Sequence, residues 1–152
     1  MTENGTWRAI DAYELIFGKL DLGSFQRRLL FQKTIYFLKL LGVQPFKDLN
    51  YTWYKRGPYC FELGGIYRKI YPDKIYLTSE EKESVLKHKK IISALISDEK
   101  SSELNSSVAY LVYDEKLSDV EVIKRIALTK PWFEQKDVEL ALLNIKEIFK
   151  IA

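Results

Sequence analysis

The segment Phe25-Gln-Arg-Arg-Leu-Leu-Phe-Gln-Lys-Thr-Ile-Tyr-Phe-Leu-Lys-Leu-Leu41 decides the fold that this sequence predicts. Ser24 precedes it where a side-chain cap would start a helix, and Gly42 follows where a helix commonly ends. The second half of the segment is apolar nearly all round, which is typical of a helix buried at the centre of a domain. We therefore expect a central helix of about Phe25–Leu41.

Apolar residues recur at helical spacing on both sides of this segment. Capping-box patterns at Thr78–Glu81 and Ser118–Glu121 predict two further helix starts. The polar stretch Ser97–Ser107 looks like a loop between helices. A first helix is predicted to end near Asp21–Gly23. Five further helices are predicted to cover about Tyr59–Tyr71, Ser79–Ile96, Leu104–Tyr113, Ser118–Leu128 and Val138–Lys150.

Two short runs rich in aromatic and β-branched residues predict strands, at Tyr51–Tyr54 and Ile75–Leu77, and the two could pair. Between them, Gly57-Pro58 turns the chain, with Pro58 suited to the first position of a helix. The predicted fold class is mainly α. It comprises about seven helices in one bundle-like domain with a small two-stranded β element, an arrangement compatible with a winged helix.

The composition fits one globular domain. The chain has 152 residues, of which 47% are hydrophobic and 30% charged, and its net charge is +3. Residues 1–77 hold 12 basic and 7 acidic residues, so the front half is modestly basic. That charge could meet an acidic partner or a phosphate backbone, but ordinary variation of the surface charge explains it as well. No stretch is long and apolar enough to cross a membrane, and no signal peptide is apparent, so a cytoplasmic location is expected.

The residues that usually carry chemistry are few. Cys60 is the only cysteine and His88 the only histidine, so neither a disulfide, a triad nor a histidine- or thiolate-based metal site is expected. Cys60 follows the Gly-Pro turn close to a predicted helix start, where its pKa could be lowered. An enzyme using Tyr59, Cys60 or Glu62 is one hypothesis, but no paired acid and base supports it. We expect no enzyme activity, cofactor or metal.

The segment Tyr51–Tyr59 is the most distinctive feature for function. It places Trp53, Tyr54, Lys55 and Arg56 together, and Tyr, Trp and Arg are enriched in binding hot spots. Alternation along a strand would put Tyr51 and Trp53 on one face and Tyr54 on the other. Two readings stay open from the residues alone: a contact surface, or aromatic core packing with Lys55 and Arg56 solvating a turn.

Three segments together carry a family resemblance. Arg28-Leu-Leu-Phe-Gln-Lys-Thr-Ile-Tyr-Phe-Leu38 and Tyr54-Lys-Arg-Gly-Pro-Tyr59 resemble the "LQKLLYF … YGP" signature of Panacea-domain proteins, which include SocA-like antitoxins and phage-associated proteins, and of the related YwgA-like proteins. Ala127-Leu-Thr-Lys-Pro-Trp132 is similar to the segment before their last helix. The order and spacing agree over about residues 24–150. Arg56 departs from the signature, which often has an aromatic residue there.

The resemblance implies a single domain over residues 1–152, with residues 1–23 as an N-terminal helical extension. It implies a scaffold role for Gly57, Pro58, Tyr59, Pro131 and Trp132. It also implies a protein-binding module, an antitoxin or adaptor, whose partner is another protein such as a toxin. The alternative is a winged-helix-type nucleic-acid-binding regulator, because helices and a small hairpin are combined with a basic front half. The sequence does not predict the oligomeric state.

Overall fold

A computed structural model describes residues 3–67 and 76–150. Eight α-helices and two strands occur in this part of the chain, so the mainly α fold class is confirmed. A 3-10 turn at Gln44–Phe46 follows the second helix, and a π-helical segment at Tyr110–Asp114 extends the sixth. In chain order the elements are α1 Glu3–Phe17, α2 Phe25–Leu40, β1 Thr52–Tyr54, β2 Gly57–Tyr59, α3 Phe61–Gly64, α4 Ser79–Lys87, α5 Lys89–Leu95, α6 Glu99–Ala109, α7 Asp119–Thr129 and α8 Gln135–Phe149.

Helix α2 is the central helix that its sequence predicts. Ser24 caps it by accepting a hydrogen bond from the backbone N–H of Arg27. Every residue from Phe31 to Leu38 is buried, including three polar ones, Gln32, Lys33 and Thr34. Buried polar groups need hydrogen-bond partners. Thr34 satisfies this requirement within the helix, by donating to the Leu30 carbonyl at 2.7 Å. Gln32 reaches outside the helix to Cys60 and Tyr67, and Lys33 reaches Pro58 in the β-hairpin.

The β element is a tight hairpin, and the predicted strand pairing is wrong. Strand β1 pairs antiparallel with β2, in the register Thr52↔Tyr59, Trp53↔Pro58 and Tyr54↔Gly57. Lys55 and Arg56 form the two-residue connection. Closing so short a loop costs less chain entropy than closing the twenty residues to Ile75–Leu77. Ile75 lies outside the described residues, and Tyr76 and Leu77 are not in a strand.

The segment after the hairpin also differs from its prediction. Pro58 lies inside β2 and does not begin a helix. Helix α3 starts only at Phe61 and ends at Gly64, so the predicted Tyr59–Tyr71 helix is wrong at both Tyr59 and Gly65. Residues 68–71 of that prediction lie outside the described residues. A helix that began after Gly57 would offer free N–H groups to an anion at its N-terminus. Because β2 occupies this position, the structure has no helix N-terminus there.

The later helices follow their caps closely. Both predicted capping boxes form, at the starts of α4 and α7. The predicted helix Ser79–Ile96 is interrupted at His88, which separates α4 from α5. Helix α7 ends at Thr129, two residues before Pro131. None of the described helices is long and apolar enough to cross a membrane.

The predicted loop Ser97–Ser107 is wrong, because most of it is helix α6, capped by Asp98. Three of the four serines of α6, Ser102, Ser106 and Ser107, are fully inaccessible. Their small side chains allow α6 to pack closely against α2, α8 and β2. The hydroxyls of Ser102 and Ser106 donate to backbone carbonyls one turn back, which removes the cost of burying them.

Gly57 lies directly against α6. Its φ of +97° lies in the left-handed region, and a Cβ there would collide with the hydroxyl of Ser107. Gly42 has a similar φ of +85°, but a Cβ on it would meet nothing within 4 Å. An alanine at position 42 would therefore suffer backbone strain alone, whereas an alanine at position 57 would suffer both backbone strain and a steric collision.

We expect Gly42→Ala to lower the free energy of unfolding by about 1–2 kcal/mol, the cost of a left-handed backbone. Gly57→Ala should lower it further, because the collision adds to the strain. Urea denaturation measures both values. Adding Ser107→Ala should recover part of the excess at position 57 and none at position 42. Equal losses at the two glycines would contradict the packing described for Gly57.

Candidate functional site

Three segments that are distant in sequence meet at the hairpin. Lys33 of α2 donates from Nζ to the carbonyl oxygen of Pro58 at 2.6 Å. Lys130, which follows α7, donates from Nζ to the carbonyl oxygen of Lys55 at 3.1 Å. The hairpin is therefore held from beneath by two buried ammonium groups, which are 2% and 1% exposed. All three segments named in the family resemblance contribute to this contact.

Glu103 of α6 supplies the negative charge at this site. One carboxylate oxygen accepts from Lys130 Nζ at 2.8 Å, and both side chains are almost fully buried. The other oxygen lies 3.6 Å from an Nη of Arg56, whose side chain is half exposed. One carboxylate thus faces the cations of Lys130 and Arg56, with Lys33 nearby. The site as a whole carries excess positive charge.

The burial of Lys33 has an electrostatic consequence. Burial lowers the pKa of Lys33 from its ordinary 10.5 to about 7. The positive charges of Lys130 and Arg56 add to this lowering, and Glu103 opposes it. Near neutral pH the amine is therefore divided between its charged and neutral forms.

The four residues predicted to bind a partner separate into two groups. Trp53 is half-buried, and its ring packs 5.9 Å from that of Tyr110 and 5.2 Å from the Lys130 ammonium. Tyr54, Lys55 and Arg56 are exposed. The predicted alternation holds, because Tyr51 is buried and Tyr54 is 44% exposed. Trp53 therefore helps to anchor the hairpin, whereas Tyr54–Arg56 forms its accessible tip.

The predicted scaffold residues lie around this anchor. Gly57 and Pro58 are buried in β2, and Tyr59 is half-buried beside them. Pro131 directly follows the buried Lys130. The ring of Trp132 lies 5.5 Å from the Lys130 ammonium, although the residue is 53% exposed. Lys130 thus lies near two tryptophan rings, and a cation near an aromatic face is attracted to it.

A cavity of about 700 Å³ opens between α2 and the hairpin. Among the described residues that line it, four are basic and four are aromatic, and none is Asp or Glu. These lining residues are Leu22, Gly23, Phe25, Arg28, Leu29, Gln32, Lys33, Tyr54, Lys55, Arg56, Gly57, Tyr59 and Tyr67. Sequence reasoning missed the contribution of α2 to this site. The signal was the pair Gln32-Lys33, which is polar inside an otherwise apolar buried helix.

Gln32 fixes one wall of the cavity. Its side-chain amide accepts from the Cys60 N–H at 2.9 Å and donates to the Cys60 carbonyl, also at 2.9 Å. The same amide nitrogen donates to the Tyr67 hydroxyl at 2.9 Å. The guanidinium of Arg28 lies 5.6 Å from the centre of the Tyr67 ring. These contacts set the position of Tyr67 before any ligand arrives.

The residues of the enzyme hypothesis are poorly suited to catalysis. Cys60 is buried, and burial raises the pKa of its thiol to about 11, so the thiol stays protonated at neutral pH. Burial also raises the pKa of Tyr59. The Glu62 carboxylate accepts from the backbone N–H of Asn50 at 3.1 Å. Within residues 3–67 and 76–150, His, Cys, Asp and Glu nowhere gather in threes as a metal would require.

Comparisons with protein-family models, curated proteins and solved structures found no match to this chain.

The pKa of Lys33 predicts a pH dependence of stability. Between about pH 7 and 10.5 the folded protein binds fewer protons at Lys33 than the unfolded chain, so the free energy of unfolding should rise with pH. Denaturant titrations between pH 7 and 8.5 measure this rise, which should be on the order of 1 kcal/mol or more. Above about pH 9 the raised pKa of Cys60 acts in the opposite direction.

The matched variant is Lys33→Met, which keeps the length of the side chain and removes the charge. Its free energy of unfolding should be nearly independent of pH over the same range. A wild-type protein as insensitive to pH as this variant would show that Lys33 is not titrating in the way described.

Proposed function

We propose that this protein is a non-catalytic, cytoplasmic binding module that docks another protein on the hairpin tip Tyr54–Arg56. The observation that carries the proposal is an exposed aromatic and two exposed cations on a hairpin anchored by buried charges. In line with the resemblance to Panacea-domain and YwgA-like proteins, we propose an antitoxin or adaptor role, with a toxin as the partner in the first case.

The composition of the tip supports a binding role. Tyr54 is 44% exposed, and its ring contacts those of Tyr59 and Phe61 at 5.2 and 5.5 Å. Phe61 is itself 60% exposed. Isolated exposed apolar residues are ordinary, but a cluster of exposed aromatics is typical of an interaction surface. Lys55 and Arg56 beside it favour a partner with acidic groups around an apolar centre.

The anchoring of the tip supports the same role. Lys33 and Lys130 bind carbonyl oxygens of the hairpin, so its backbone is fixed before a partner arrives. A surface that is already ordered loses less conformational entropy on binding, and more of the contact energy appears as affinity. The buried charges therefore serve the exposed ones by holding them in place.

The nucleic-acid alternative has less support. A winged helix needs a recognition helix that can enter a DNA groove. The helix before this hairpin is α2, and its residues Phe31–Leu38 are buried. The helix after it, α3, is only four residues long. Neither neighbour of the hairpin offers the surface that this mode of binding uses.

The proposal predicts a partner encoded close to this gene. Co-expression of the chain with the products of adjacent genes should yield a stable complex by affinity purification. If the partner is toxic, growth should be rescued as well. Lys55→Glu combined with Tyr54→Ala should weaken the complex at least tenfold, a change of about 1.4 kcal/mol, because the tip loses its aromatic contact and reverses a charge.

Lys90→Glu is the matched control, because Lys90 is an exposed lysine on α5 with the same change of charge. It should leave both the complex and the melting temperature unchanged. A complex that tolerates the tip variant as well as it tolerates Lys90→Glu would place the partner elsewhere on the surface. Absence of a complex with any neighbouring gene product would remove the antitoxin role.

A further inference from the structure

The cavity between α2 and the hairpin has the size of a small-molecule site. Its volume of about 700 Å³ falls within the roughly 300–1,000 Å³ typical of ligand pockets. Such pockets usually combine apolar or aromatic walls with a few polar groups that fix the orientation of the ligand. This cavity has aromatic walls from both sides, with Phe25 on α2, Tyr54 and Tyr59 on the hairpin, and Tyr67 after α3.

The charge of the lining selects for an anion. Arg28 and Lys55 form no ion pair with any residue in the described part of the chain. Arg28 donates one hydrogen bond, from an Nη to the Leu22 carbonyl at 2.9 Å. A guanidinium has five N–H donors, so Arg28 has others with which to bind an anion. The carboxylate of Glu103 is paired with Lys130 and Arg56 and is not part of the lining. Among the described residues, an incoming phosphate or carboxylate would therefore meet Arg28 and Lys55 without a competing carboxylate in the lining.

The aromatic rings and the guanidinium groups are paired across the cavity. The Arg28 guanidinium lies 5.6 Å from the Tyr67 ring centre, and the Arg56 guanidinium lies 5.5 Å from the Phe25 ring centre. The Arg28–Tyr67 pair puts a flat apolar surface next to a guanidinium fork that has no carboxylate partner among the described residues, whereas the Arg56 guanidinium also lies 3.6 Å from Glu103. A ligand with a planar ring and an acidic group would use both parts of one pair. A simple inorganic anion would use only the fork.

Buried polar side chains also hold parts of the cavity wall in place before a ligand binds. Gln32, which is 3% exposed, binds the Tyr67 hydroxyl and both backbone groups of Cys60. Lys33 binds the Pro58 carbonyl beneath the hairpin. Tyr67 and the hairpin backbone are therefore held from the core side, which limits the rearrangement that binding requires.

We infer that this cavity binds a small aromatic anion, a molecule that joins one planar ring to a phosphate or a carboxylate. Nucleoside monophosphates and aryl phosphates share this chemistry. The inference goes beyond the protein-binding role, because it concerns the isolated chain and holds whether or not a partner docks on the tip. A ligand here would contact Tyr54, Lys55 and Arg56, so its binding would also change the surface offered to a partner.

The test is calorimetric titration of the full chain, at low ionic strength and fixed pH, with four probes. Adenosine monophosphate and phenyl phosphate carry both a ring and a phosphate, adenosine carries the ring and its sugar without a phosphate, and inorganic phosphate carries only the anion. The two compounds with both parts should bind at least tenfold more tightly than either single-part probe. The order of the two then distinguishes a nucleotide site from one for simpler aryl anions.

The chain offers a closely matched pair of variants. Arg28 lines the cavity, whereas its neighbour Arg27 is exposed and outside it. Arg28→Met should weaken the binding of phenyl phosphate at least tenfold, and Arg27→Met should leave it unchanged. Lys55→Met is a second test at an exposed turn position, where folding is not at risk. It should weaken binding severalfold with an unaltered melting temperature.

Several results would overturn the inference. Equal affinity for phenyl phosphate and inorganic phosphate would show that the ring contributes nothing and that binding is only a general attraction of anions by positive charge. Equal effects of Arg27→Met and Arg28→Met would place binding outside the cavity, as would normal affinity in Lys55→Met and Arg28→Met together. Failure of all four probes to bind at millimolar concentration would exclude a small-molecule site, and the cavity would then be left to a side chain of a partner protein. Partner capture by the tip is measured separately, so either proposal can fail without the other.

Discussion

The buried ion pair between Glu103 and Lys130 is the constraint on which the arrangement of this protein depends. Both side chains are almost completely withdrawn from water, and removing Glu103 would leave Lys130 as an uncompensated buried charge at a cost of about 3–5 kcal/mol. The pair ties α6 to the segment that follows α7. Because Lys130 also donates to the Lys55 carbonyl, the same pair positions the hairpin. One electrostatic contact thus connects three elements that are far apart in the chain.

Lys33 connects the hairpin to the central helix in a different way. It has no carboxylate within ion-pair distance in the described part of the chain, and its burial lowers its pKa to about 7. Its hydrogen bond to Pro58 therefore holds the hairpin at an electrostatic cost that is largest when the amine is charged. An apolar residue at position 33 would avoid that cost, but it would leave the buried Pro58 carbonyl without this donor. A lysine at position 33 therefore lowers the stability of the fold but holds the hairpin in place through the Pro58 carbonyl.

Much of the fold was predictable because its determinants are local. Side-chain caps at Ser24, Thr78 and Ser118 and the apolar run of α2 depend only on neighbouring residues, and these predictions were confirmed. The errors came from contacts at a distance. The polar composition of α6 favours a loop, yet three of its four serines are buried by close packing with other elements. The predicted partner of β1 is wrong because Gly57-Pro58 favours a helix start in the sequence, whereas these residues form β2 in the structure.

The candidate site also combines features that are visible in the sequence with features that depend on tertiary packing. The sequence by itself determined a mainly helical chain with one central buried helix, and it drew attention to the aromatic and basic residues Trp53–Arg56. Only the tertiary structure decided which of these are accessible, because Trp53 packs against Lys130 and Tyr110 while Tyr54–Arg56 projects outward. It also brought Arg28 and Tyr67 to one cavity with the hairpin. Spacing along the chain specifies helices, but the meeting of distant charges and rings is set by how those helices pack.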